Sequence, residues 1–188
     1  NVTGVQTCAL PILSHFAIAA LQKQGFIKGV ITQNIDDLHT QAGSTGVVEL
    51  HGNAFEFVCS ACGQKRKRSV DVLKEYADAL QKGDVTSARK GIPECQDCGT
   101  VMRINIVFFQ DTLPADQFYR AEALIRECTT MICVGTSGQV YPAAQLPIAA
   151  HDMAKNLVEI NIDTVLEQAD MRINASADSV FKAVSGHI

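Results

Sequence analysis

Four of the seven cysteines in this 188-residue chain fall into two Cys-x-x-Cys pairs, Cys59/Cys62 and Cys95/Cys98. Each pair can form a tight turn that presents two sulfurs to one ion, and four thiolates suit tetrahedral Zn²⁺. Four sulfur ligands leave no open position for water, so the pattern predicts a structural zinc site. A redox disulfide is the alternative interpretation, but the duplication of the motif favours the metal.

A polar run at the end of an apolar segment is the second candidate site. The β-branched segment 29–32 predicts a buried parallel strand, and Gln33-Asn34-Ile35-Asp36 follows it as a loop. Two amides and a carboxylate at a strand end are able to bind a sugar and an amide-bearing ring. Asp36 or Asp37 has a second interpretation, as the N-cap of a short helix that runs to Gln41 and is closed by Gly43.

His51 follows a short predicted strand and is the candidate base. Imidazole titrates near neutral pH, so His51 can accept a proton if it faces the same cleft as the polar run. A lone histidine is more often structural than catalytic, and the pattern alone leaves both interpretations open.

Alternating helices and strands must position these residues. The predicted helices cover residues 13–24, 114–127, the stretch from Pro142 and the stretch from Ser176; the predicted strands cover 29–32, 104–109, 131–134 and 157–161. This alternation predicts an α/β fold with a parallel sheet covered on both faces. Three loops then follow strand ends at one rim, where such sheets bind ligands: 33–36, 135–138 and 161–163.

The segment from Phe55 to Cys98 differs in character from the rest of the chain. It holds both cysteine pairs, an amphipathic helical pattern over Val70–Leu80 and the basic run Lys65–Arg68. We interpret the segment as a self-contained insertion, and the basic run as a solvated turn or a strand edge.

The composition limits the possible partners and location. The net charge of −4 gives no reason to expect specific nucleic-acid binding, and the chain lacks an apolar stretch of about 18 residues that would span a membrane. An odd number of cysteines without a secretory segment indicates a reducing compartment, so we predict a cytoplasmic protein. Cys128 and Cys133 are expected to be small buried hydrophobes. The composition does not indicate the oligomeric state.

In order and spacing, these motifs resemble the sirtuin family, and the similarity runs from Leu13 onward. The matching motifs are Thr32-Gln33-Asn34-Ile35-Asp36, Leu38-His39, His51-Gly52, the four zinc cysteines, Gly135-Thr136-Ser137 and Ile160-Asn161. The resemblance implies a Rossmann-like, doubly wound domain over residues 13–54 and 104–188, with a zinc domain inserted over 55–103. It also implies an enzyme that uses NAD to remove acyl groups from protein lysine, releasing nicotinamide and O-acyl-ADP-ribose.

The resemblance implies a role for each matching position. Asn34, Asp36 and His51 would be catalytic: Asp36 would hold the nicotinamide carboxamide, and His51 would activate a ribose hydroxyl after the acyl oxygen has attacked the anomeric carbon. The implied NAD-binding residues are Gln33, Asn34, Ile35, Asp36, Gly135, Thr136, Ser137, Asn161 and Ile162. The implied contacts to the acyl-lysine peptide are Val107, Phe109, Val140 and Tyr141, the last two in a loop that pairs with the peptide as a strand.

The chain departs from the family pattern at two places. One is its start, and the other is the segment that precedes the predicted helix over residues 114–127. Residues 1–12 read as translated adapter sequence, and the glycine-rich phosphate loop with its strand is expected upstream of Leu13. We therefore expect a truncated chain that binds NAD poorly. Phe109-Gln110-Asp111 stands where the family has Phe-Gly-Glu, and Gln110 does not adopt positive φ easily, so a differently shaped peptide loop is expected.

The stretch 135–144 resembles the bacterial and mitochondrial branch of the family, but acetyl and succinyl specificity are equally open. Two alternative functions share these residues. One is mono-ADP-ribosyl transfer at the same site. The other is an inactive zinc-ribbon or scaffold fragment that binds protein or nucleic acid through Lys65–Arg68.

Overall fold

The computed structural model describes residues 10–67, 72, 75, 78–79, 81–90, 92–108 and 111–185. The helices are α1 (Leu13–Lys23), α2 (Leu38–Gln41), α3 (Val85–Lys90), α4 (Ala115–Glu127), α5 (Gln145–Asp152) and α6 (Ala177–Ser185). The strands are β1 (Ile31–Thr32), β2 (Val48–Glu49), β3 (Gly52–Cys59), β4 (Lys65–Lys67), β5 (Met102–Ile106), β6 (Thr130–Val134), β7 (Asn156–Asn161) and β8 (Met171–Asn174). None of the helices in these ranges is long and apolar enough to cross a membrane.

Three small sheets connect these strands. β1 and β2 pair in parallel, and β6, β7 and β8 form a second parallel sheet in that order. The third sheet, in the order β4-β3-β5, is antiparallel. Helices alternate with the parallel strands, as the sequence predicts for an α/β protein.

The chain divides into two compact units. Among the described residues, the first, called the zinc unit, contains Asn34–Asp37 and His51–Asp111, and the second, called the α/β unit, contains Leu10–Gln33, Leu38–Leu50 and the chain from Thr112. The predicted insertion over 55–103 lies within the zinc unit, which also contains the segment around His51 and the four residues Asn34–Asp37.

The core of the α/β unit lies between β2 and the two helices α4 and α5. Ala121 and Ile125 are one helical turn apart on α4 and are buried with Leu50 and Leu146. Gly29 allows α4 to come close, because a Cβ at that position would lie 2.6 Å from a Leu124 methyl carbon. At the other side of the unit, the Ser14 N–H donates to the Asp178 carboxylate at 3.0 Å, which ties α1 to α6.

The zinc unit has its own core around Phe57, which is completely buried with Met102 and two cysteines. β3 is irregular: Asn53 pairs with Asn105, but the next pair is Phe57 with Ile104, so residues 54–56 bulge from the ladder. β4 lies at the outer edge of the sheet, which confirms that the basic run includes a strand edge.

Within the α/β unit, two elements differ from the sequence predictions, and in the other unit α3 and the extent of β3 were not predicted. α5 begins at Gln145 and not at Pro142. Pro147 explains the difference, because a proline is tolerated in the first helical turn but disrupts the helix further along. β8 is absent from the sequence predictions, since its four residues are strand only through their pairing with β7.

Other predicted bounds shift by a few residues. β5 ends at Ile106, three residues before the predicted end, and β1 is limited to Ile31 and Thr32, although the Val30 oxygen accepts a hydrogen bond from Val48 N–H at 2.8 Å. The predicted helix over Val70–Leu80 and the residues Phe109 and Gln110 fall mainly or wholly outside the described residues.

Candidate functional site

The four paired cysteines form one compact cluster. Their sulfurs all lie within 4.8 Å of one another, with 3.5 Å between Cys59 and Cys98 and 3.5 Å between Cys62 and Cys95. The strands β3 and β5 pair next to both turns. Their pairing brings together side chains that are more than thirty residues apart in the sequence. The cluster therefore has the donor set and the compactness of a four-thiolate zinc site.

The two turns have the same backbone geometry. Gly63 N–H donates to the Cys59 oxygen at 3.0 Å, and Gly99 N–H donates to the Cys95 oxygen at 2.8 Å. Both glycines have positive φ, 75° and 73°. This conformation is costly for other residues, and it explains why a glycine directly follows each pair.

The thiols of the cluster differ in acidity. Hydrogen bonds from the Thr100 hydroxyl and backbone lower the pKa of Cys98 to about 6. The backbone at Gln64 favours the thiolate of Cys62, but the sulfurs of Cys59 and Cys95 outweigh it and raise its pKa to about 12. Four adjacent thiolates therefore require a cation among them, and Zn²⁺ fits this requirement.

The zinc unit also holds the loop Asn34–Asp37, called the polar loop from here on. Ala54 N–H donates to the Ile35 oxygen at 2.9 Å, and the Asn53 side-chain amide donates to the Asp37 carboxylate at 3.0 Å. Within this unit, hydrogen bonds thus fix the polar loop, with Asn34 and Asp36, against the segment that follows His51.

His51 itself is half-buried, and its main-chain oxygen accepts a hydrogen bond from Val107 N–H at 3.0 Å. The candidate base and the half-buried Val107, a predicted acyl-tunnel residue, are therefore adjacent in the zinc unit. The residue as a whole is thus partly exposed, and a general base must be within reach of the group whose proton it takes.

The strands β1 and β2 of the α/β unit run in parallel. Thr32 is paired with Glu49, and Leu50 N–H donates to the Thr32 oxygen at 3.0 Å. Gln33 follows the end of β1, and Leu50 follows the end of β2. Within the α/β unit, β1 and β2 thus end at the same edge of their sheet, and the predicted rim that includes the polar loop stays a prediction.

The conformation of Asp37 does not fit the N-cap interpretation. Asp37 directly precedes α2, but its φ is +58°, whereas an N-cap residue usually has extended backbone. Its carboxylate accepts from Asn53 and lies 3.6 Å from the Lys67 ammonium. The side chain therefore connects the polar loop to β3 and β4.

The α/β unit brings together the second group of predicted NAD-binding residues. The Asn161 side-chain amide donates to the Thr136 oxygen at 2.8 Å, and Gly135 N–H donates to the Ile160 oxygen at 3.0 Å. Ile162 N–H donates to the Asn161 carbonyl oxygen at 3.0 Å, and the Ile162 side chain is 74% exposed. These contacts link the loops after β6 and β7.

The hydroxyls of Thr136 and Ser137 stabilise the loop after β6. Thr136 Oγ1 accepts from Gly138 N–H at 3.2 Å, and Ser137 Oγ accepts from Gln139 N–H at 3.4 Å. Gly138 has a φ of +64°, and a Cβ there would lie 2.8 Å from Val165 Cγ1. A side chain at this position would therefore push apart the loops that follow β6 and β7.

Glu159 is a site-supporting residue that the sequence analysis missed. It is 1% exposed on β7, and its Oε1 accepts from Val165 N–H at 2.9 Å and Leu166 N–H at 3.2 Å. The carboxylate thereby shapes the loop after Asn161. The available signal was a charged residue inside the apolar run of β7.

The cysteine opposite Glu159 confirms one prediction. Cys133 on β6 pairs in register with Glu159 and is buried. Burial, assisted by the negative charge of Glu159, raises the pKa of the Cys133 thiol to about 12. Cys133 is therefore a neutral buried side chain, and Cys128 is half-buried with its thiol donating to the Ile125 oxygen at 3.3 Å.

The predicted peptide-binding residues are only partly visible. Val140 and Tyr141 are exposed in the turn that precedes α5, as a surface that pairs with a peptide would require. Phe109 lies outside the described residues, so its predicted role stays a prediction.

A comparison with protein families agrees with these features. A model described as the Sir2 family matches residues 3–142. The chain is 39% identical over 174 residues to an NAD-dependent protein deacylase from Pyrococcus furiosus, a match that covers 92% of this chain and 66% of the relative. It is 42% identical over 154 residues to an NAD-dependent protein deacetylase from Thermotoga maritima, covering 82% of this chain and 58% of the relative.

Solved structures share the fold. A sirtuin structure that concerns the structural basis of substrate affinity superposes with a TM-score of 0.79 at 34% identity. The match covers 98% of this chain and 76% of that one. A structure of Sir2 with a p53 peptide and NAD⁺ gives a TM-score of 0.76 at 35% identity, covering 95% and 70%. These similarities confirm the predicted Rossmann-like α/β fold. The chain spans about two thirds or less of the relatives' length.

Proposed function

Because this chain belongs to the Sir2 family, we propose that it removes acyl groups from protein lysine by an NAD-dependent reaction. The observation that carries the proposal is the attachment of the polar loop to the segment after His51, through Ala54 N–H and the Ile35 oxygen at 2.9 Å. Through this contact, Ile35 in the candidate nicotinamide-binding loop is hydrogen-bonded to a residue three positions after the candidate base. Similar structures contain acetylated and propionylated peptides.

We assign the binding of NAD to two groups of residues. Gln33, Asn34, Ile35 and Asp36 would bind nicotinamide and its ribose, with the Asp36 carboxylate accepting from the carboxamide N–H. Gly135, Thr136, Ser137, Asn161 and Ile162 would bind the adenosine side through backbone N–H groups, hydroxyls and one side-chain amide. The hydrogen bonds of these residues to one another preorganise each group before NAD arrives.

His51 would act after the glycosidic bond has broken. The acyl oxygen attacks the anomeric carbon, nicotinamide leaves with the bonding electrons, and the lysine amide becomes bonded to the ribose. His51 then takes the proton of a ribose hydroxyl, whose oxygen attacks the former amide carbon. Water completes the reaction, which gives free lysine and O-acyl-ADP-ribose. The half-buried position of His51 suits this proton transfer.

The acyl-lysine would enter beside apolar side chains. Val107, next to His51 in the zinc unit, and Phe109 would line the acyl chain and keep competing water away. Val140 and Tyr141 would contact the peptide backbone. The substrate class that follows is an acetylated or similarly acylated protein segment in extended conformation.

The zinc ion would stabilise the fold and take no part in the reaction. Its four sulfur ligands leave no coordination position for substrate or water. Because thiolate ligands need a reducing environment, we also propose a cytoplasmic location. Cell fractionation with detection of the chain would test it, and recovery from an oxidising compartment would contradict it.

A product assay with labelled NAD and an acetyl-lysine peptide tests the proposed function. We expect free nicotinamide, deacetylated peptide and acetyl-ADP-ribose in equal amounts. The longest reading frame that contains the chain is assayed beside it, and lower activity is expected of the chain alone because it spans only part of its relatives' length. Label transferred to protein would indicate ADP-ribosyl transfer instead of deacylation.

His51→Ala separates the two halves of the reaction. Deacylation is expected to fall by about 10²- to 10⁴-fold, the usual contribution of a general base. Exchange of labelled nicotinamide into NAD is expected to persist, because the base acts after nicotinamide leaves. His151→Ala, at an exposed position on α5, is the matched control. Equal deacylation by His51→Ala and wild type would contradict the assignment.

A further inference from the structure

We propose that Asn53 and Asp37 form a positioning pair that sets the geometry of the nicotinamide-binding loop. The proposal rests on the proposed function for the identity of the ligand, but the geometry of the pair is independent of it. Neither residue is among those that the sequence analysis placed in the site. Both lie in the zinc unit, together with Asn34, Asp36 and His51.

The bulge in β3 makes the pair possible. Because residues 54–56 leave the ladder with β5, their N–H groups need partners elsewhere. Ala54 N–H donates to the Ile35 oxygen at 2.9 Å, and Phe55 N–H donates to the Asn53 carbonyl oxygen at 2.8 Å. In the bulge, sheet pairing is therefore replaced by one hydrogen bond to the polar loop and one to the side chain of Asn53.

Asn53 is the buried half of the pair. It is 1% exposed, and its side chain uses both ends: the oxygen accepts from Phe55 N–H, and the nitrogen donates to Asp37 Oδ1 at 3.0 Å. A buried amide with partners at both ends cannot rotate without losing a hydrogen bond. Its orientation, and hence the position of the Asp37 carboxylate, is therefore fixed.

Asp37 is the strained half of the pair. Its φ of +58° is unfavourable for residues other than glycine, although Asp and Asn tolerate it best. Its carboxylate also faces the Lys67 ammonium at 3.6 Å, but the Lys67 side chain is 59% exposed, so this ion pair is weak. The charge-assisted hydrogen bond from Asn53 is the stronger restraint on Asp37.

The consequence for the site follows from the chain. Asp37 is bonded directly to Asp36, so the conformation held at residue 37 restricts the backbone position from which the Asp36 carboxylate extends. Asn53 lies two residues after His51. One buried amide thus sets the position of the proposed carboxamide acceptor and that of the segment that begins with the proposed base. Neither Asn53 nor Asp37 has to touch the substrate for this.

Two substitutions at position 37 separate the carboxylate's role from backbone strain. Asp37→Gly relieves the positive φ but removes the acceptor for Asn53. Asp37→Asn keeps an acceptor oxygen and tolerates the same φ, but loses the charge that faces Lys67. A merely structural role for a left-handed residue predicts that glycine is the better replacement. The positioning pair predicts that asparagine is.

We expect Asp37→Gly to weaken the binding of nicotinamide, so that its inhibition constant rises by about tenfold. For Asp37→Asn, we expect the inhibition constant to rise by no more than about threefold. The same order should hold for hydrogen-exchange protection of the Ala54 amide, because that amide reports the attachment of the polar loop without any ligand. Asn53→Ala should resemble Asp37→Gly. Lys65→Ala, an exposed position on β4, is the control.

The two measurements keep the proposals apart. If wild type neither exchanges nor binds nicotinamide, the proposed function fails, and the Ala54 protection alone decides the positioning pair. Protection that falls in Asp37→Gly and persists in Asp37→Asn supports the pair in either case. The proposal would be overturned if the Ala54 amide were as protected in both Asp37→Gly and Asn53→Ala as in wild type. It would also be overturned if nicotinamide inhibited Asp37→Gly as strongly as it inhibits wild type.

Discussion

The side-chain amide of Asn161 donates a 2.8 Å hydrogen bond to the main-chain oxygen of Thr136. This contact joins the loops that follow two neighbouring parallel strands, β6 and β7. Both loops carry residues that we propose for the adenosine side of NAD, so in that proposal the hydrogen bond organises the site before the ligand binds. A ligand that meets preorganised partners loses less ordering entropy on binding.

Asn161→Asp tests this relationship, because the substitution keeps the size of the side chain and removes its N–H donor. The carboxylate would face the Thr136 oxygen and repel it. We expect the KM for NAD to rise by about tenfold, with a smaller change in kcat. Steady-state kinetics at varied NAD would measure both. Asn156→Asp, an exposed position at the start of β7, should leave both constants unchanged.

Gly52→Ala tests the close approach beside His51. A Cβ at Gly52 would lie 2.1 Å from the Asn105 oxygen, and φ is +81°. We expect the free energy of unfolding to fall by roughly 3 kcal/mol or more, together with loss of deacylation, because His51 would be displaced. Urea denaturation would measure the change in stability.

Gly83→Ala is the matched control for Gly52→Ala. Its φ of +71° imposes a similar backbone strain, but among the described residues no atom beyond its two chain neighbours lies within 4 Å of the added Cβ. We expect a loss of about 1 kcal/mol with activity retained. Equal effects of the two substitutions would show that the approach of Asn105 is unimportant.

Removal of the metal should unfold the zinc unit. A chelator would leave four thiols close together, and the raised pKa of Cys62, about 12, shows how strongly its neighbours oppose a second thiolate. We expect amide protection in β3 and β5 to disappear and four additional thiols to react with a thiol reagent. Cys62→Ser should lower zinc affinity, whereas Cys128→Ser, outside the cluster, should not. Unchanged protection after chelation would contradict a structural metal.

The buried thiol of Cys133 should make stability depend on alkaline pH. In the unfolded chain the thiol loses its proton near pH 9.0, whereas in the folded protein burial raises the pKa to about 12. Between these values the unfolded state binds fewer protons than the folded state, so the free energy of unfolding falls as pH rises. Cys133→Ala should reduce this fall, as measured by urea denaturation at pH 8 to about 11. An identical fall in both proteins would contradict the assignment.

Features that depend on neighbours in sequence were predictable. The zinc site follows from the spacing of its cysteines and the glycine after each pair, and β6 and β7 follow from their short apolar runs. α4 was recognisable because Pro114 and the 3.6-residue period mark its start and its buried face. The alternation of these elements was sufficient to predict the α/β fold.

Features that depend on distant pairing were not predictable. β8 is a strand only because it lies beside β7, and the contact between Asn53 and Asp37 depends on a bulge that no residue type marks. The role of Glu159 was not predicted, because one charged residue inside an apolar run leaves the strand prediction unchanged and indicates no partner. Its role appears only when the loop at Val165 and Leu166 folds back onto it.

The edge strand β4 has a consequence for the behaviour of the protein at high concentration. In the described part of the chain, β4 pairs with β3 on one side, which leaves the backbone groups of its other side available to a foreign strand. Its residues are Lys65, Arg66 and Lys67. A second copy that added its own β4 there would set cation against cation at a strand spacing of about 4.8 Å. The repulsion opposes fibre-like stacking of one molecule on the next.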